Sequence, residues 1–524
     1  MGSHTEQDKR SGVFAERRAS EVTDRAIEWL KQNGKRRFFV WVHYYDPHAP
    51  YDPPTPYKGA FSEDPYSGEI QYMDEQVGRL LDWVNLQGLT SRTLIVAIGD
   101  HGESLGEHGE LTHGIFLYES TLHVPLIIAG PGVPTGKVIV NQVRSIDIMP
   151  TVLAFLKLTP GTESRGVSLW PLIHYGNQVR ANFAYSETLY PRTYMGWSEL
   201  RAMRTDSWKM IVAPHPELYD LVHDPNETIN VIARYPTKSA QLERQIWEIA
   251  GNKAKHEKVE STPLDPVAQQ QLEALGYINV GTPDKIQLGT EAPDPKDRTK
   301  VLLYLEQIEG LLNQNAYSQA AHLAEQALKD DPTNPSLFHY EAEAFEKLGD
   351  FARAVEIYEN AIKMNCQTVQ IYSRLGKDYQ HLHQPDKAIA AMQRATEVNP
   401  RDLDSLRDLG ILYLDLGRLN DAKRTFTKIT LQDNHYAAAY RGLAVIAMER
   451  DEIETARRNF ERAIQLNPSD VETLLNLGVL YQKAGDKKHA LRYLTLFLEK
   501  ASRDQYGDLL SQVRDAVKEL QQDK

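Results

Sequence analysis

The sequence contains a single cysteine, Cys366, among its 524 residues. A lone thiol excludes an internal disulfide framework and any zinc cluster built from several cysteines. Positive charge is also scarce, because 59 Lys and Arg residues stand against 72 Asp and Glu residues and leave a formal net charge of -13. Such an acidic chain argues against nucleic acid as a partner.

Long apolar runs are missing as well. The longest lie at 38–42 and 94–99, far short of the roughly 20 residues that a membrane-spanning helix needs, so no transmembrane segment is expected. The chain begins with MGSHTEQDKRSG, which is polar, and we therefore predict no signal peptide in this chain. Its localisation stays open on these grounds.

What the sequence does have is length and an internal repeat. At 524 residues the chain is too long for one ordinary core, which predicts two or more domains. In the second half alanines recur at a spacing of 34 residues, at Ala320, Ala354, Ala388, Ala422, Ala456 and Ala490. Glycine, aromatic residues and proline return in the same phase, which indicates one structural unit used repeatedly.

This pattern resembles the tetratricopeptide repeat, a pair of antiparallel helices of 34 residues. Small residues let the two helices approach closely, and each pair leaves an apolar face that the next pair covers, so the units stack into a superhelix. We predict six repeats over 301–504 and a capping helix over 505–524. The implied partner is a protein or peptide bound on the repeat surface.

The first half, residues 13–280, is predicted to be an α/β domain. Short apolar runs fall at 36–45, 92–100 and 123–130. Helical spacing falls at 19–32 and 69–87. Strands that alternate with helices predict a largely parallel sheet covered on both faces. The polar, proline-containing segment 281–300 is predicted to link the two halves.

Asp100 and His101 stand out as candidate metal ligands. They follow directly on the predicted strand at 92–100, and open α/β sheets place ligands at the carboxyl ends of their strands. A neighbouring Asp and His can offer one oxygen and one nitrogen to a divalent cation. Taken alone, the two residues fit a metal site and a solvated surface loop equally well.

An ordered series of segments extends well beyond this pair. The segments are HYYDPHAPY (43–51), YMDEQVG (72–78), DHGESLGEHG (100–109), HGIFLYES (113–120), VPLIIAGPG (124–132), RSIDIMPTVL (144–153), ELYDLVHDPNETINV (217–231) and LEALGYI (272–278). Together they resemble the later portion of a sulfatase, a family within the alkaline-phosphatase-like superfamily of metal-dependent ester hydrolases. The resemblance covers residues 13–280.

The resemblance implies a role for each matching residue. Asp100 and His101 match the family's second pair of metal ligands, and His48 matches a histidine that contacts the sulfate or protonates the leaving alkoxide. His113 stands where many sulfatases have a lysine that bridges nucleophile and sulfate, a role an imidazolium fills only while protonated. A less favoured interpretation is that Glu103 orients a ligand histidine. The other histidines are expected to be loop or core residues: His43, His108 and His123.

The implied cofactor is a divalent metal. Sulfatases with an Asn partner use calcium, whereas the His partner is similar to relatives that use a transition metal such as manganese or zinc. The implied substrate is a sulfate ester, either a small molecule or a glycan. Hydrolysis of phosphate or phosphonate monoesters stays open as the sister reaction, because sulfate and phosphate groups are both tetrahedral anions. Both need the same kind of site to hold their oxygen atoms.

The chain departs from the family in its opening elements. The family's opening strand that ends in paired aspartates is absent from the sequence, as is the C/S-x-P-x-R motif whose Cys or Ser becomes the formylglycine nucleophile, and Cys366 lies in MNCQTVQ without a following Pro or Arg. We expect an N-terminally truncated, inactive fragment of an enzyme whose intact relatives are often periplasmic or exported. The alternative is a degenerate hydrolase domain on a protein-interaction scaffold.

Overall fold

The computed structural model describes residues 17–159, 161, 164–176, 183–251, 258–260, 285–287 and 292–522. They divide into two compact units. The first holds nearly all described residues up to 251 together with 292–303, and the second holds 304–522 with the short segments 258–260 and 285–287. Residues 13–16, 272–278 and 523–524 of the predicted segments, and part of the predicted linker, lie outside the described residues.

The helices of the first unit contain buried residues, except for the short helix at 57–60. They are α1 (Ala19–Asn33), α2 (Tyr57–Ala60), α3 (Pro65–Leu86), α4 (Glu119–Leu122), α5 (Ile148–Phe155), α6 (Trp170–Tyr175) and α7 (Pro236–Ala250). Helices α1 and α3 correspond to the helical patterns predicted at 19–32 and 69–87. Leu30 of α1 and Val84 of α3 lie in one apolar cluster, as expected for helices with an apolar stripe.

The strands of the first unit pair antiparallel, so the predicted largely parallel sheet is wrong for the described residues. Strand β1 (Ile95–Ile98) pairs with β2 (Leu126–Ala129), and residues 36–45 form no strand. The connection from β1 to β2 contains only a three-residue 3-10 helix (Glu107–Gly109) and the four-residue helix α4. A parallel pair needs a crossover that usually carries a longer helix, and apolar runs alone do not specify strand direction.

A second sheet lies farther along the first unit. Its strands, in chain and spatial order, are β3 (Phe183–Thr188), β4 (Leu200–Thr205), β5 (Trp208–Val212) and β6 (Glu217–Asp220), all antiparallel. Helix α7 covers this sheet, because Met203 and Met210 of the strands share a core with Leu242 and Ile246 of α7.

The second unit consists mainly of helices that pack in sequence order. A short pair of strands, β7 (Lys258–Glu260) and β8 (Lys285–Gln287), precedes them. The helices are α8 (Thr299–Asn313), of which 304–313 belong to this unit, α9 (Tyr317–Asp330), α10 (Pro335–Lys347), α11 (Phe351–Lys363), α12 (Val369–His381), α13 (Pro385–Val398), α14 (Leu403–Asp415), α15 (Leu419–Gln432), α16 (Ala437–Glu449), α17 (Ile453–Leu466), α18 (Val471–Lys483), α19 (Lys487–Lys500) and α20 (Arg503–Gln522).

The repeated alanines explain this packing. All six, from Ala320 to Ala490, are fully buried, because a side chain of this size lets neighbouring helices approach closely. The division into repeats at 301–504 with a cap at 505–524 stays a prediction, as do the bounds 13–280 and 281–300. No helix within the described ranges combines the length and the apolar character needed to cross a membrane.

Candidate functional site

The segment after β1 carries Asp100 and His101 and is fastened to α4. The backbone N–H of Gly102 donates to the carbonyl of Thr121 at 2.8 Å. A Cβ at position 102 would lie 2.2 Å from the carbonyl oxygen of Ser120. Only glycine therefore allows this close approach of the two backbones, and the approach sets where His101 lies.

Asp100 and His101 direct one carboxylate oxygen and one ring nitrogen toward each other. The Nδ1 atom of His101 lies 2.9 Å from the carbonyl oxygen of Gly102, which makes Nδ1–H the donor and leaves the lone pair on Nε2. That Nε2 atom lies 3.8 Å from Oδ2 of Asp100. An ion about 2.0–2.4 Å from each atom spans such a gap. Within the described residues no three or more His, Cys, Asp or Glu side chains are arranged to hold a metal ion together.

Buried carboxylates hold the loop that carries His48. Glu69 of α3 accepts hydrogen bonds from the backbone N–H groups of His48 at 3.0 Å and Asp52 at 2.8 Å. Asp46 accepts one from the backbone N–H of Ala19, at the start of α1, at 2.7 Å. The loop is thus fastened to both helices. Sequence reasoning missed Glu69 and Asp46, because an acidic residue on a helix or in a loop gives no sign of burial.

Three of the predicted site histidines lie together. The rings of His101 and His113 stack with their centroids 3.9 Å apart, and the ring of His48 meets that of His113 edge-on at 5.4 Å. Glu103 lies 3.0 Å from Nδ1 of His113. The carboxylate of Glu103 therefore fixes the ring of His113, whereas Nδ1 of His101 meets the carbonyl oxygen of Gly102, and the orientation of a metal-ligand histidine by Glu103 stays a prediction.

Burial shifts the titration of groups in and beside this cluster. The pKa of His48 lies below its usual value, chiefly because burial disfavours the imidazolium and also because His113 and His101 lie nearby. Burial raises the pKa of Glu110 to about 7, although its carboxylate accepts backbone hydrogen bonds. Burial and the charge of Glu103 together raise the pKa of Tyr51.

The remaining histidines of this region have other surroundings. The ring of His108 stacks on Tyr118 with centroids 3.6 Å apart, and His43 meets Trp41 edge-on at 6.2 Å. The side chain of His123 is mostly exposed. These contacts fit the expected loop and core roles.

We expect Gly102→Ala to destabilise the first unit by about 1–3 kcal/mol, because the added methyl group forces apart two backbone segments that cannot both keep their positions. Gly78→Ala is the matched control, since a Cβ there meets nothing within 4 Å and α3 gains a better helix former. Urea unfolding followed by tryptophan fluorescence measures both, as all 7 tryptophans lie in the first unit. Equal midpoints for the two variants would contradict the role given to Gly102.

Three comparisons with known proteins complete the description of the site. The Sulfatase family model matches residues 4–158, and the model described as N-sulphoglucosamine sulphohydrolase, C-terminal, matches residues 106–252. Tetratricopeptide repeat models match residues 305–367, 381–446, 446–485 and 473–505.

Curated relatives match the first half of the chain. Arylsulfatase K of Xenopus laevis is 30% identical over 193 residues, which is 34% of this chain and 34% of that protein. Choline-sulfatase of Rhizobium meliloti (strain 1021) is 33% identical over 186 residues, or 34% of this chain and 35% of that protein. The chain thus spans about a third of the length of the curated relatives it matches.

Solved structures match each half separately. The structure of BT4656 in complex with its substrate D-glucosamine-2-N,6-O-disulfate matches with a TM-score of 0.39 and 20% identity, over 45% of this chain and 69% of that one. YrrB, a tetratricopeptide-repeat protein, matches with a TM-score of 0.29 and 23% identity, over 33% of this chain and 88% of that one. The family models and the relatives together show that the N-terminal part of the chain is a sulfatase-like α/β domain and that its C-terminal part is a helical region of tetratricopeptide repeats.

Proposed function

We propose that the sulfatase-family domain binds the anionic group of a sulfate ester beside a divalent ion held in part by Asp100 and His101. The observation that carries the proposal is the convergence of these two side chains with the rings of His113 and His48. A bound divalent ion would supply positive charge that neutralises the ester oxygens. Calcium, manganese and zinc are the candidates.

His48 is proposed to exchange a proton with the ester oxygen. Its Nδ1 atom lies 2.7 Å from the carbonyl oxygen of Ala49, so Nε2 is the nitrogen available to a substrate. Burial lowers the pKa of His48 and favours the neutral ring, whereas a bound anion would raise that pKa. His48 would therefore become a proton donor when the anionic substrate is present.

His113 is proposed to contact the anion itself. Glu103 is buried and accepts the Nδ1 proton of His113, which orients the ring and leaves Nε2 for a substrate oxygen. Stacking on His101 fixes the plane of the ring. This arrangement supports the electrostatic role that the family resemblance implies, for as long as the imidazole is protonated.

We further propose that these 524 residues bind the ester without hydrolysing it, as a truncated fragment of a hydrolase would. The sequence contains no C/S-x-P-x-R segment, so it offers no match to the family's covalent nucleophile. A phosphate or phosphonate monoester is the competing ligand, because it needs the same positive site.

Binding of Mn²⁺ or Ca²⁺ to the purified chain tests the proposal. We expect Asp100→Ala and His101→Ala each to weaken the binding of one ion at least about tenfold in titration calorimetry. Both variants are also expected to weaken the binding of an aryl sulfate, measured in the same way. His123→Ala is the matched control, since its side chain is mostly exposed. Unchanged ion affinity in Asp100→Ala would refute the metal site. Turnover of the aryl sulfate that depends on Asp100 would refute the inactive fragment, and tighter binding of an aryl phosphate would favour the sister reaction.

The repeat array favours a second function, recognition of a protein or peptide. Its helices pack one after another from α9 to α20, and such arrays present continuous surfaces that suit extended or helical ligands. This function is independent of the metal site, so one can fail while the other stands.

A further inference from the structure

A cavity of about 400 Å³ lies in the repeat array between α9, α10 and α11. Leu328, Phe338 and Ile357 supply part of its apolar wall. Glu341 lies among them, on α10, and also lines the cavity. The cavity therefore combines an aliphatic and aromatic wall with at least one carboxylate.

Glu341 is a buried carboxylate. The residue is only 7% exposed, and its side chain has no hydrogen bond or ion pair within the part of the chain that the structure describes. Burial raises the pKa of Glu341 to about 7, while Arg353 lowers it and Glu325 raises it. Burying a carboxylate that has no directly bonded cation is costly. Binding of a ligand that places a positive charge here would therefore be strongly favoured.

The other charged groups around the cavity supply only part of that charge. Arg353 pairs with Glu356 at 2.7 Å, and half of its side chain is exposed. Glu325 adds a further carboxylate to the lining. The cavity thus carries three carboxylates against one guanidinium, and that guanidinium already has a partner.

We propose that this cavity binds an alkylammonium group, of the kind carried by a lysine side chain of a bound protein or by a free aliphatic amine. The methylene stem would pack against Leu328, Phe338 and Ile357, and the ammonium group would meet the carboxylate of Glu341. A compact point charge on an aliphatic stem suits one buried carboxylate beside an apolar wall. The lysine form deepens the proposed recognition of a protein and rests on it, whereas the free amine does not.

Titration of the full-length chain with two amines tests the inference. The probes are 1,5-diaminopentane and a short peptide with one central lysine, and the matched neutral probe is the same peptide acetylated on Nζ. We expect both amines to bind and Glu341→Gln to weaken them at least about tenfold, which corresponds to about 1.4 kcal/mol. Glu499→Gln is the control, because it removes the same charge from an exposed position of α19.

The pH dependence gives a second readout. Glu341 becomes ionised as pH rises through 7, so the affinity of the wild type for the amine is expected to rise between about pH 6 and pH 8. Glu325, Arg353 and Glu356 face the same cavity, and Glu341→Gln keeps all three. If Glu341→Gln keeps the pH dependence of amine binding, Glu341 does not cause that dependence. The proposal that Glu341 binds the amine would then be wrong.

The outcomes separate the two sources of the ligand. Binding of the diamine but not of the peptide supports the cavity as a site for a free amine and counts against its part in protein recognition. Equal binding by wild type and Glu341→Gln, or equal binding of the lysine and acetyl-lysine peptides, overturns the proposal. Glutamine keeps the shape of Glu341 and removes its buried charge, and far-UV circular dichroism checks that the variant is folded.

Discussion

Lys209→Met is expected to lower the free energy of unfolding of the first unit by about 3–5 kcal/mol, because it removes one partner of a buried ion pair. The side chain of Lys209 is fully buried on β5, with Nζ 3.0 Å from Glu227 and 3.2 Å from Glu119. Arg204 also lies 3.3 Å from Glu119. Methionine fills the same volume without charge, and Glu227 then stays buried without a cation. Urea unfolding followed by tryptophan fluorescence measures the loss.

The two carboxylates respond differently to burial, which predicts how the loss depends on pH. Burial raises the pKa of Glu227 despite Lys209, whereas at Glu119 burial is outweighed by Lys209 and Arg204 and the pKa lies below its usual value. Removing Lys209 raises both pKa values in the folded state. A carboxyl group whose pKa is higher in the folded state costs stability above its unfolded pKa, and protonation relieves that cost. The deficit of Lys209→Met is therefore expected to be larger at about pH 8 than at about pH 5.

An ion pair on the surface provides the control for removing a lysine that is not buried. Lys31 pairs with Glu28 at 3.3 Å on α1, and both side chains are more than half exposed. Lys31→Met is expected to change the same transition by less than about 1 kcal/mol. The burial argument fails if the two lysine variants unfold at the same urea concentration, or if the deficit of Lys209→Met grows as pH falls.

Local periodicity predicted the helices of this chain but not the pairing of its strands. The spacing of apolar residues in α1 and α3 depends on 3.6 residues per turn, which is a property of the segment itself. The direction in which Ile95–Ile98 meets Leu126–Ala129 depends on residues about thirty positions apart. A short apolar run does not specify whether its strand pairs parallel or antiparallel. The antiparallel pairing could therefore not be predicted from the sequence pattern.

The residues of the candidate site were likewise predicted only in part. Asp100, His101, His48 and His113 could be named because they stand in segments that resemble a family, and the structure brings the three histidines together. Buried charged partners such as Glu69 and Lys209 were missed. A charged residue in a sequence is normally solvated, and its burial depends on contacts with segments that are remote along the chain.

Phe426→Ala is expected to lower the stability of the repeat array by about 3–5 kcal/mol, since truncating a buried aromatic side chain leaves a cavity. Phe426 lies on α15 and is 1% exposed. A Cβ at Gly410 of α14 or at Gly442 of α16 would come within 2.8 Å and 2.5 Å of its ring. The ring therefore occupies the space that two glycines leave open, and the glycines have no side chain with which to fill it. Urea unfolding followed by far-UV circular dichroism measures the loss, and Leu431→Ala, at an 82% exposed position of the same helix, is the control.

The same contact predicts that one substitution changes the sign of its effect. Gly442→Ala alone is expected to destabilise the array, because its methyl group would overlap the ring of Phe426. In the Phe426→Ala background the ring is gone, so the methyl group fills part of the cavity and alanine is the better helix former by about 1 kcal/mol. Gly442→Ala should then be stabilising. Additive effects of the two substitutions would mean that Phe426 and Gly442 do not share this space, since side chains in contact show coupling and distant ones do not.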